Sequence, residues 1–161
     1  MKTLPLTRGL ITQVDDEDFE QLSRFKWSAL LGKTSGPYAV RGVLTSGKSR
    51  LIMMHRELLA APPGMQVDHI NRDPLDNRRA NLRLATAGQN YANGTRALPT
   101  SGFRGVEYQP RGTNKFYVRT VIDGKRVHLG SFATAEEAAR VASEHRRRRF
   151  GDFAAPEFLV P

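Results

Sequence analysis

Residues 65–93 are rich in side chains that could do chemistry. Aspartate, asparagine, histidine and arginine crowd this stretch, with few aliphatic residues among them. Asp68 and His69 are adjacent, so in a strand their side chains diverge, and one can hold a metal ion while the other faces an attacking water. Histidine, whose ordinary pKa is about 6.5, is the natural base near neutral pH. A base and a cation together are what hydrolysis of a phosphodiester requires.

The amino-acid composition excludes several kinds of metal site and nucleophile. The 161 residues include no cysteine, which excludes disulfides, thiolate zinc sites and a cysteine nucleophile, so any metal is held by oxygen or imidazole. Hydrophobic residues make up 39% of the chain, enough for packed cores. No apolar run is long enough to span a membrane, and the N-terminus lacks the apolar core of a secretory signal. We therefore expect a protein of the cytoplasm with no membrane partner.

Positive charge is unevenly distributed along the chain. The formal net charge is +9, which favours a polyanionic partner, most simply nucleic acid. Residues 1–47 hold six Lys/Arg against five Asp/Glu, residues 48–100 eight against four, and residues 101–161 eleven against seven. The basic excess therefore lies in the two later stretches.

Short elements precede the polar stretch. The acidic residues 15–18 favour a helix N-terminus, where negative charge meets the positive end of the helix dipole. Residues 54–60 are apolar and helix-prone, and the prolines at 62 and 63 end that helix. Three segments are predicted as strands, the last two forming a hairpin: 9–14, 38–44 and 49–54.

The tail has a clearer pattern. Residues 93–102 contain turn formers without periodicity and predict a linker. Asp123-Gly124 is a strong two-residue hairpin signal, and Thr134 offers a helix N-cap before alanines that recur at helical spacing. The β-prone segments are 103–108, 115–122 and 125–132. The pattern predicts a three-stranded antiparallel sheet packed on one helix.

The polar stretch resembles the HNH endonucleases, in particular phage and intron-encoded members. The resemblance covers roughly residues 50–95 and rests on VDHIN at 67–71, LDNRRANLR at 75–83 and QN at 89–90. It implies a ββα-metal core. In that core Asp68 would be the first metal ligand and His69 the general base, while Asn81 would tie down the loop and Asn90 would be the second ligand, from the following helix.

Family members usually have histidine where this chain has Asn90. The change makes the site all-oxygen, which favours one hard cation, Mg²⁺ or Mn²⁺, and no small-molecule cofactor is expected. His55 could pack beneath the site or touch a phosphate, and we favour the packing role. Beside a site that cleaves phosphodiesters, phosphate contact is expected for three arginines, Arg78, Arg79 and Arg83.

The tail resembles the Apetala-two/ethylene-response-factor DNA-binding domain over nearly all of residues 101–154. The motifs are FRGV at 103–106, KFYVR at 115–119, KRVHLGSF at 125–132 and TAEEAA at 134–139. The resemblance implies a sheet laid in the major groove. Strand alternation predicts one reading face, and arginine on it could grip guanine or phosphate. The expected members of this face are Arg104, from the first strand, and Tyr117, Arg119, Arg126 and His128.

These observations predict an α+β protein of two domains, an HNH endonuclease module in residues 1–97 and a DNA-binding domain in 98–161. The expected activity is metal-dependent hydrolysis of double-stranded DNA, by nicking or cutting, at a site that the second domain chooses, as in a phage-type homing endonuclease. A monomer in a bacterial host or phage-infected cell is favoured. Two alternatives stay open: a DNA-binding regulator whose nuclease fold no longer cuts, and an RNA-binding module with incidental catalytic-looking residues.

Overall fold

The chain forms two compact units. The computed structural model describes residues 1–32, 36–94 and 99–155, and its units are Met1–Tyr91 and Ala92–Pro161. The protein is α+β with small antiparallel sheets, as the sequence predicts. The domain division expected after residue 97 lies among residues 95–98, outside the described residues, and stays a prediction. Within the described ranges, no helix has the length and apolar character needed to cross a membrane.

The first half of the first unit contains two antiparallel sheets and two short helices. Strand β1 (Lys2–Pro5) pairs with β2 (Ile11–Val14). Helix α1 (Asp16–Ser23) begins in the acidic cluster, as expected, because its first turn carries three carboxylates. The remaining elements are β3 (Ser28–Leu30), β4 (Tyr38–Thr45), β5 (Lys48–Met53) and α2 (Met54–Leu58), and the sheet order is β3-β4-β5.

The polar stretch folds into a two-stranded sheet followed by a helix. Strand β6 (Gln66–His69) pairs antiparallel with β7 (Leu82–Ala85). Helix α3 (Ala87–Asn93) follows at once. Its start is set by a reciprocal cap, because the Gln89 backbone N–H donates to Thr86 Oγ1 at 3.2 Å and the Thr86 N–H donates to Gln89 Oε1 at 2.8 Å.

One core of large side chains holds these elements together. Trp27 lies in it, and its indole Nε1 donates to the Leu22 carbonyl at 2.9 Å. The buried members come from the segment before the polar stretch and, in Val67 and Leu82, from the stretch itself, which fixes that stretch against the N-terminal half. They are Leu4, Leu6, Val14, Leu22, Trp27, Ala39, Met54, Leu58, Val67 and Leu82.

The second unit is a three-stranded antiparallel sheet with one long helix. The strands are β8 (Val106–Tyr108), β9 (Phe116–Ile122) and β10 (Lys125–Phe132), in the order β10-β9-β8. Asp123 and Gly124 have φ of 49° and 76°, as expected of the two-residue turn that joins β9 to β10. Helix α4 (Ala135–Phe150) begins as predicted, because Thr134 accepts a hydrogen bond from the Glu137 N–H.

The fully buried residues of the second unit's core are small, and partly buried phenylalanines such as Phe116 and Phe132 pack against them. Val106 and Val118 of the sheet pack against three alanines of α4, Ala138, Ala139 and Ala142. Gly105 precedes the first strand with φ of +80°, and a Cβ there would lie 3.4 Å from that of Ala142. The alanine face therefore lets the helix lie close to the sheet, as its spacing indicates.

Candidate active site and nucleic-acid surface

Asp68 and His69 end strand β6 and point to opposite faces of its sheet. Both residues are buried. The Asp68 carboxylate faces its cross-strand neighbour Arg83, whose Nε and Nη2 lie 2.8 and 2.7 Å from Asp68 Oδ2. The His69 ring instead contacts the His55 ring, with a centroid separation of 5.1 Å. The divergence that the sequence predicts is thus seen in the partners of the two side chains.

Asn81 closes the loop between β6 and β7. Its Oδ1 accepts from the Asn71 backbone N–H at 2.9 Å, and its Nδ2 donates to the Asp76 carbonyl at 2.8 Å. Its own carbonyl accepts from the Ile70 N–H at 2.9 Å. These bonds bring the two ends of the loop together, which is the structural half of the role that the resemblance implies. The contribution of Asn81 to a reaction stays a prediction.

Asp76 is the charged centre of the same loop. Its buried carboxylate accepts from Arg78 Nε at 2.7 Å and Nη2 at 2.6 Å, and from Asn71 Nδ2 at 2.8 Å. The Arg78 hydrogen bond is the main reason that the pKa of Asp76 lies below its ordinary value. The loop therefore contains a fixed ion pair rather than a carboxyl group that titrates near neutral pH.

Asn77 is a member of the site that the sequence reasoning missed. It is fully buried, its Nδ2 donates to Thr12 Oγ1 at 2.8 Å, and its Oδ1 lies 3.5 Å from His69 Nε2. The Thr12 hydroxyl donates in turn to the Leu75 carbonyl at 2.7 Å, so strand β2 holds the loop from outside the polar stretch. The signal in the sequence that could have indicated Asn77 was the high density of aspartate and asparagine at residues 76–81.

His55 and Tyr38 pack around the His69 ring. The Tyr38 ring lies 5.4 Å from that of His55 and 6.2 Å from that of His69. Burial, together with the charges of His69 and Arg56, lowers the pKa of His55 to about 3. This environment agrees with a packing role for His55.

His69 is also neutral at pH 7. Burial lowers the pKa of its imidazole, although the Asn77 hydrogen bond and the carboxylates of Asp68, Asp73 and Asp76 oppose that effect. A neutral imidazole can take up a proton, which is the property that a general base needs.

Asn90 projects from α3 towards strand β6. Its Nδ2 donates to Gln66 Oε1 at 2.5 Å. Gln66 stands two residues before Asp68, so the two lie on the same face of β6. Among the described residues, no three His, Cys, Asp or Glu side chains form a cluster that could hold a metal. Asn90 and Asp68 would offer an amide oxygen and a carboxylate, oxygen ligands of the kind that suit a hard cation.

The three arginines expected to contact phosphate all have carboxylate partners inside the unit. Arg78 pairs with Asp76 and Arg83 with Asp68. Arg79 Nε and Nη2 lie 2.8 and 2.7 Å from the Asp18 carboxylate, and its Nη1 donates to the Leu58 carbonyl. The side chains of Arg78 and Arg79 are 41% and 44% exposed, against 17% for Arg83, so the first two have more surface for a second partner. DNA contact by these arginines stays a prediction.

Four of the five tail residues share the exposed face of the second sheet. Arg119 stands opposite His128 in the register, and Arg126 and Tyr117 occupy alternate positions on the same strands. The Arg119 guanidinium lies 4.5 Å from the Tyr117 ring centroid and 3.7 Å from the Glu107 carboxylate. Val118, between them, faces the helix. The sheet therefore presents cationic and aromatic side chains together.

Arg104 departs from the expected arrangement. Strand β8 begins only at Val106, so the expectation that Arg104 lies on the first strand is wrong. Its Nη1 donates to the Ala92 carbonyl at 3.3 Å. The turn around Gly105, whose φ is +80°, displaces the start of the strand. DNA contact by Arg104 stays a prediction.

Comparison with known proteins agrees with both resemblances. Residues 60–92 match the HNH endonuclease family model. The chain is 29% identical to an uncharacterized HNH endonuclease of Acanthamoeba polyphaga mimivirus, over 92% of this chain and 75% of that protein. It is also 35% and 42% identical, over 57% and 38% of this chain, to two ethylene-responsive transcription factors of Arabidopsis thaliana. The matches cover 27% and 24% of those two proteins. No solved structure matches.

The matched segment contains the candidate catalytic group. Asp68, His69, Asn81 and Asn90 all lie within residues 60–92. The combination that the sequence predicts, an HNH-type part joined to a part like the ethylene-response factors, is confirmed. The same matches support a nuclease and a DNA partner.

Proposed function

We propose that this protein is an endonuclease that hydrolyses phosphodiester bonds of double-stranded DNA with one divalent cation, Mg²⁺ or Mn²⁺. The observation that carries the proposal is the Asp68–His69 pair, which puts a buried carboxylate and a buried neutral imidazole on opposite faces of one strand end. In this proposal β6, β7 and α3 form the ββα-metal core, and the pair lies within the segment that matches the HNH model.

His69 acts as the general base, and Asn77 determines its tautomer. The Asn77 amide donates from Nδ2 to Thr12, so its Oδ1 is left to accept from His69 Nε2, 3.5 Å away. Nε2 then carries the hydrogen, and Nδ1 is the nitrogen that takes the proton from the attacking water. Packing against His55 and Tyr38 keeps the ring oriented.

Asp68 and Asn90 are the residues that would hold the cation. When bound, the cation offsets negative charge on the phosphate and on the departing oxygen. Arg83 fixes the Asp68 carboxylate through two nitrogens on the same oxygen. The reciprocal cap of α3 fixes the backbone of Asn90, since the Asn90 N–H donates to the Thr86 carbonyl at 3.0 Å.

The second unit chooses the site. The support for this part is the exposed face of Tyr117, Arg119, Arg126 and His128 and the match to two transcription factors. A twisted sheet can enter the major groove, where arginine reads guanine in a bidentate manner. A homing role would appear as cleavage confined to one rare sequence.

The test is cleavage of supercoiled plasmid and of a randomised duplex library by the full-length protein. Nicked or linear product is expected in Mg²⁺ or Mn²⁺, and none in EDTA. A one-strand cut gives only the nicked form, so the same gel separates nicking from double-strand cutting. Cleavage that continues in EDTA, or that His69→Ala leaves unchanged, would contradict the proposal.

A DNA-binding regulator without cleavage is the second candidate. Two observations favour it: the Asp68 carboxylate already has a cationic partner in Arg83, and the tail matches transcription factors. This candidate predicts sequence-specific binding with no product in either cation. The plasmid and library assay therefore decides between the two functions.

A further inference from the structure

The exposed face of the second sheet carries a carboxylate among its cationic and aromatic side chains. Within strands β8, β9 and β10, Glu107 is the one acidic residue. It stands directly opposite Tyr117 in the register, while its neighbour Val106 packs against the helix. Its side chain is 52% exposed. Glu107 therefore lies on the same face as the arginines that we expect to contact DNA.

A carboxylate at this place does not suit a surface that only contacts phosphates. Its charge repels the DNA backbone, to which most protein–DNA hydrogen bonds are made. Glu107 also adds little to the stability of the fold, because its ion pair with Arg119 is long, at 3.7 Å, and exposed. The partner that a carboxylate can accept from on DNA is an amino group at the edge of a base.

Cytosine is the base whose edge fits a carboxylate best. In the major groove it presents only the N4 amino group, which is a donor. Guanine presents two acceptors there and thymine presents one, so both repel a carboxylate oxygen. Adenine places the acceptor N7 beside its amino group, which weakens the contact.

We propose that Glu107 is a specificity-determining residue that accepts a hydrogen bond from N4 of a cytosine in the DNA target. The inference rests on the proposed role of the second unit in choosing the site. Glu107 Oε2 and Arg119 Nη1 are 3.7 Å apart, close to the rise of about 3.4 Å between base pairs. The cytosine therefore lies within one base pair of the guanine that Arg119 reads.

Arg119 has a second contact that does not depend on Glu107. Its guanidinium lies 4.5 Å from the centroid of the Tyr117 ring. Loss of the Glu107 carboxylate should therefore leave Arg119 beside that ring, with its guanine contact in place. Because of this second contact, reading of cytosine by Glu107 can be distinguished from a role in orienting Arg119.

Selection of bound duplexes from a randomised library tests the proposal with the full-length protein, in EDTA so that cleavage is not expected. Glu107→Met removes the acceptor and keeps a side chain of similar length. It should lower the preference for cytosine at one base pair about 5–30-fold, the lower part of the range for one direct base contact, and leave the other positions unchanged. Glu107→Gln should shift that base pair towards adenine, which glutamine contacts through N6 and N7.

N4-Methylcytosine at the selected position tests the same hydrogen bond from the DNA side. Its methyl group replaces the N4 hydrogen that faces the major groove, and the other N4 hydrogen keeps the pair with guanine. The wild-type protein should bind this duplex more weakly, by about the factor that Glu107→Met loses. In the Glu107→Met background the methyl group should change the affinity about twofold or less. An equal effect of the methyl group in both proteins would contradict the proposal.

Glu136→Met is the matched control, because Glu136 is exposed in the first turn of α4 and its loss changes the net charge equally. It should leave every base preference unchanged. Circular dichroism follows folding of each variant, and the N4-methylcytosine test needs only the wild-type protein if Glu107→Met does not fold.

Two results would overturn the inference by assigning Glu107 another role. Tighter binding of Glu107→Met to all sequences alike, with the cytosine preference unchanged, would mean that the carboxylate only repels phosphate. Loss in Glu107→Met of the same guanine preference that Arg119→Ala removes, with no separate cytosine preference, would mean that Glu107 only orients Arg119.

The inference and the proposed function fail in different ways. A wild-type protein that selects no sequence removes the role of the second unit in site choice, and the inference with it. A clear sequence preference that Glu107→Met leaves unchanged at every base pair removes only the role of Glu107.

Discussion

The two units hold their candidate functional residues in opposite environments. In the first, Asp68, His69 and Asn77 are 3%, 6% and 0% exposed and bond to one another or to neighbouring elements. In the second, the Arg119 side chain is 42% exposed, and it lies on an open sheet. A reaction requires groups that are already oriented before substrate arrives, whereas recognition requires groups whose partners the nucleic acid supplies.

The hydrophobic cores of the two units also differ. The first unit packs large side chains such as Trp27, Met54 and Leu22 around a buried polar network. The second packs alanines and valines under a sheet whose other face is exposed. Because buried polar groups are costly to leave unpaired, a small change should damage the first unit more than the second.

The two histidines, one buried and one exposed, give the largest expected contrast. His69→Ala should lower the cleavage rate about 10²–10⁴-fold, the usual contribution of a general base, with DNA affinity nearly unchanged. His128→Ala should weaken DNA binding and leave the rate at saturating DNA unchanged. Single-turnover cleavage and a binding titration on each variant separate the two effects.

The contrast between the two histidines would be wrong if both substitutions had the same effect on cleavage and binding. Wild-type cleavage by His69→Ala removes the buried histidine from the mechanism. A reduced rate at saturating DNA in His128→Ala would mean that the exposed sheet also shapes the reactive centre.

Asn81 in the first unit and Asn114 in the second allow the stabilities of the two units to be compared. Asn81→Ala leaves the partly buried Asn71 N–H and the buried Asp76 carbonyl without their partners and should lower the free energy of unfolding of the first unit by about 2–4 kcal/mol. Asn114→Ala removes one exposed, long hydrogen bond of 3.4 Å in the second unit and should cost about 0.5 kcal/mol or less. Urea unfolding measured by Trp27 fluorescence and by circular dichroism gives both values. Equal losses would show that burial does not distinguish the two units.

The elements that the sequence predicts are those fixed by local signals. The Asp123-Gly124 turn and the Thr134 cap each depend on residues close in the chain. Strands β1 and β3 were not predicted. They have four and three residues, and their pairing depends on partners rather than on composition.

Prediction of the candidate site was limited in the same way. Asp68 and His69 stand out as neighbours in a polar stretch, and Asn90 follows at a family spacing. Asn77 did not stand out, because its partner Thr12 lies 65 residues earlier in the chain. Arg79 likewise pairs with Asp18, 61 residues away, which sequence reasoning could not see when it assigned that arginine to phosphate. Long-range polar pairs of this kind carry no local signal.

Arginine substitutions on the exposed sheet should have smaller effects, on binding alone. Arg119→Ala and Arg126→Ala should each cost about 1–3 kcal/mol of binding free energy and relax discrimination at one base pair, if each reads a base. Arg140→Ala, an exposed change on α4, removes the same charge and is the control. Uniform weakening on all sequences, with a shallower salt dependence, would identify phosphate contacts instead.

The last expected effect is a pH dependence of the stability of the first unit. Because the pKa of His55 is about 3 in the folded unit and its ordinary value is 6.5, the unfolded chain binds the extra proton between these values. Stability is therefore full above pH 6.5 and falls as the pH decreases, by about 1.4 kcal/mol per pH unit for this one group. His69, whose pKa is also lowered by burial, adds to the slope.

His55→Gln should reduce the slope by about 1.4 kcal/mol per unit between roughly pH 6 and 4.5, above the ordinary carboxylate range. The measurement is urea unfolding followed by Trp27 fluorescence at several pH values. An unchanged slope in His55→Gln would mean that the ring is already protonated in the folded protein, and the buried environment argued for the first unit would be wrong at that residue.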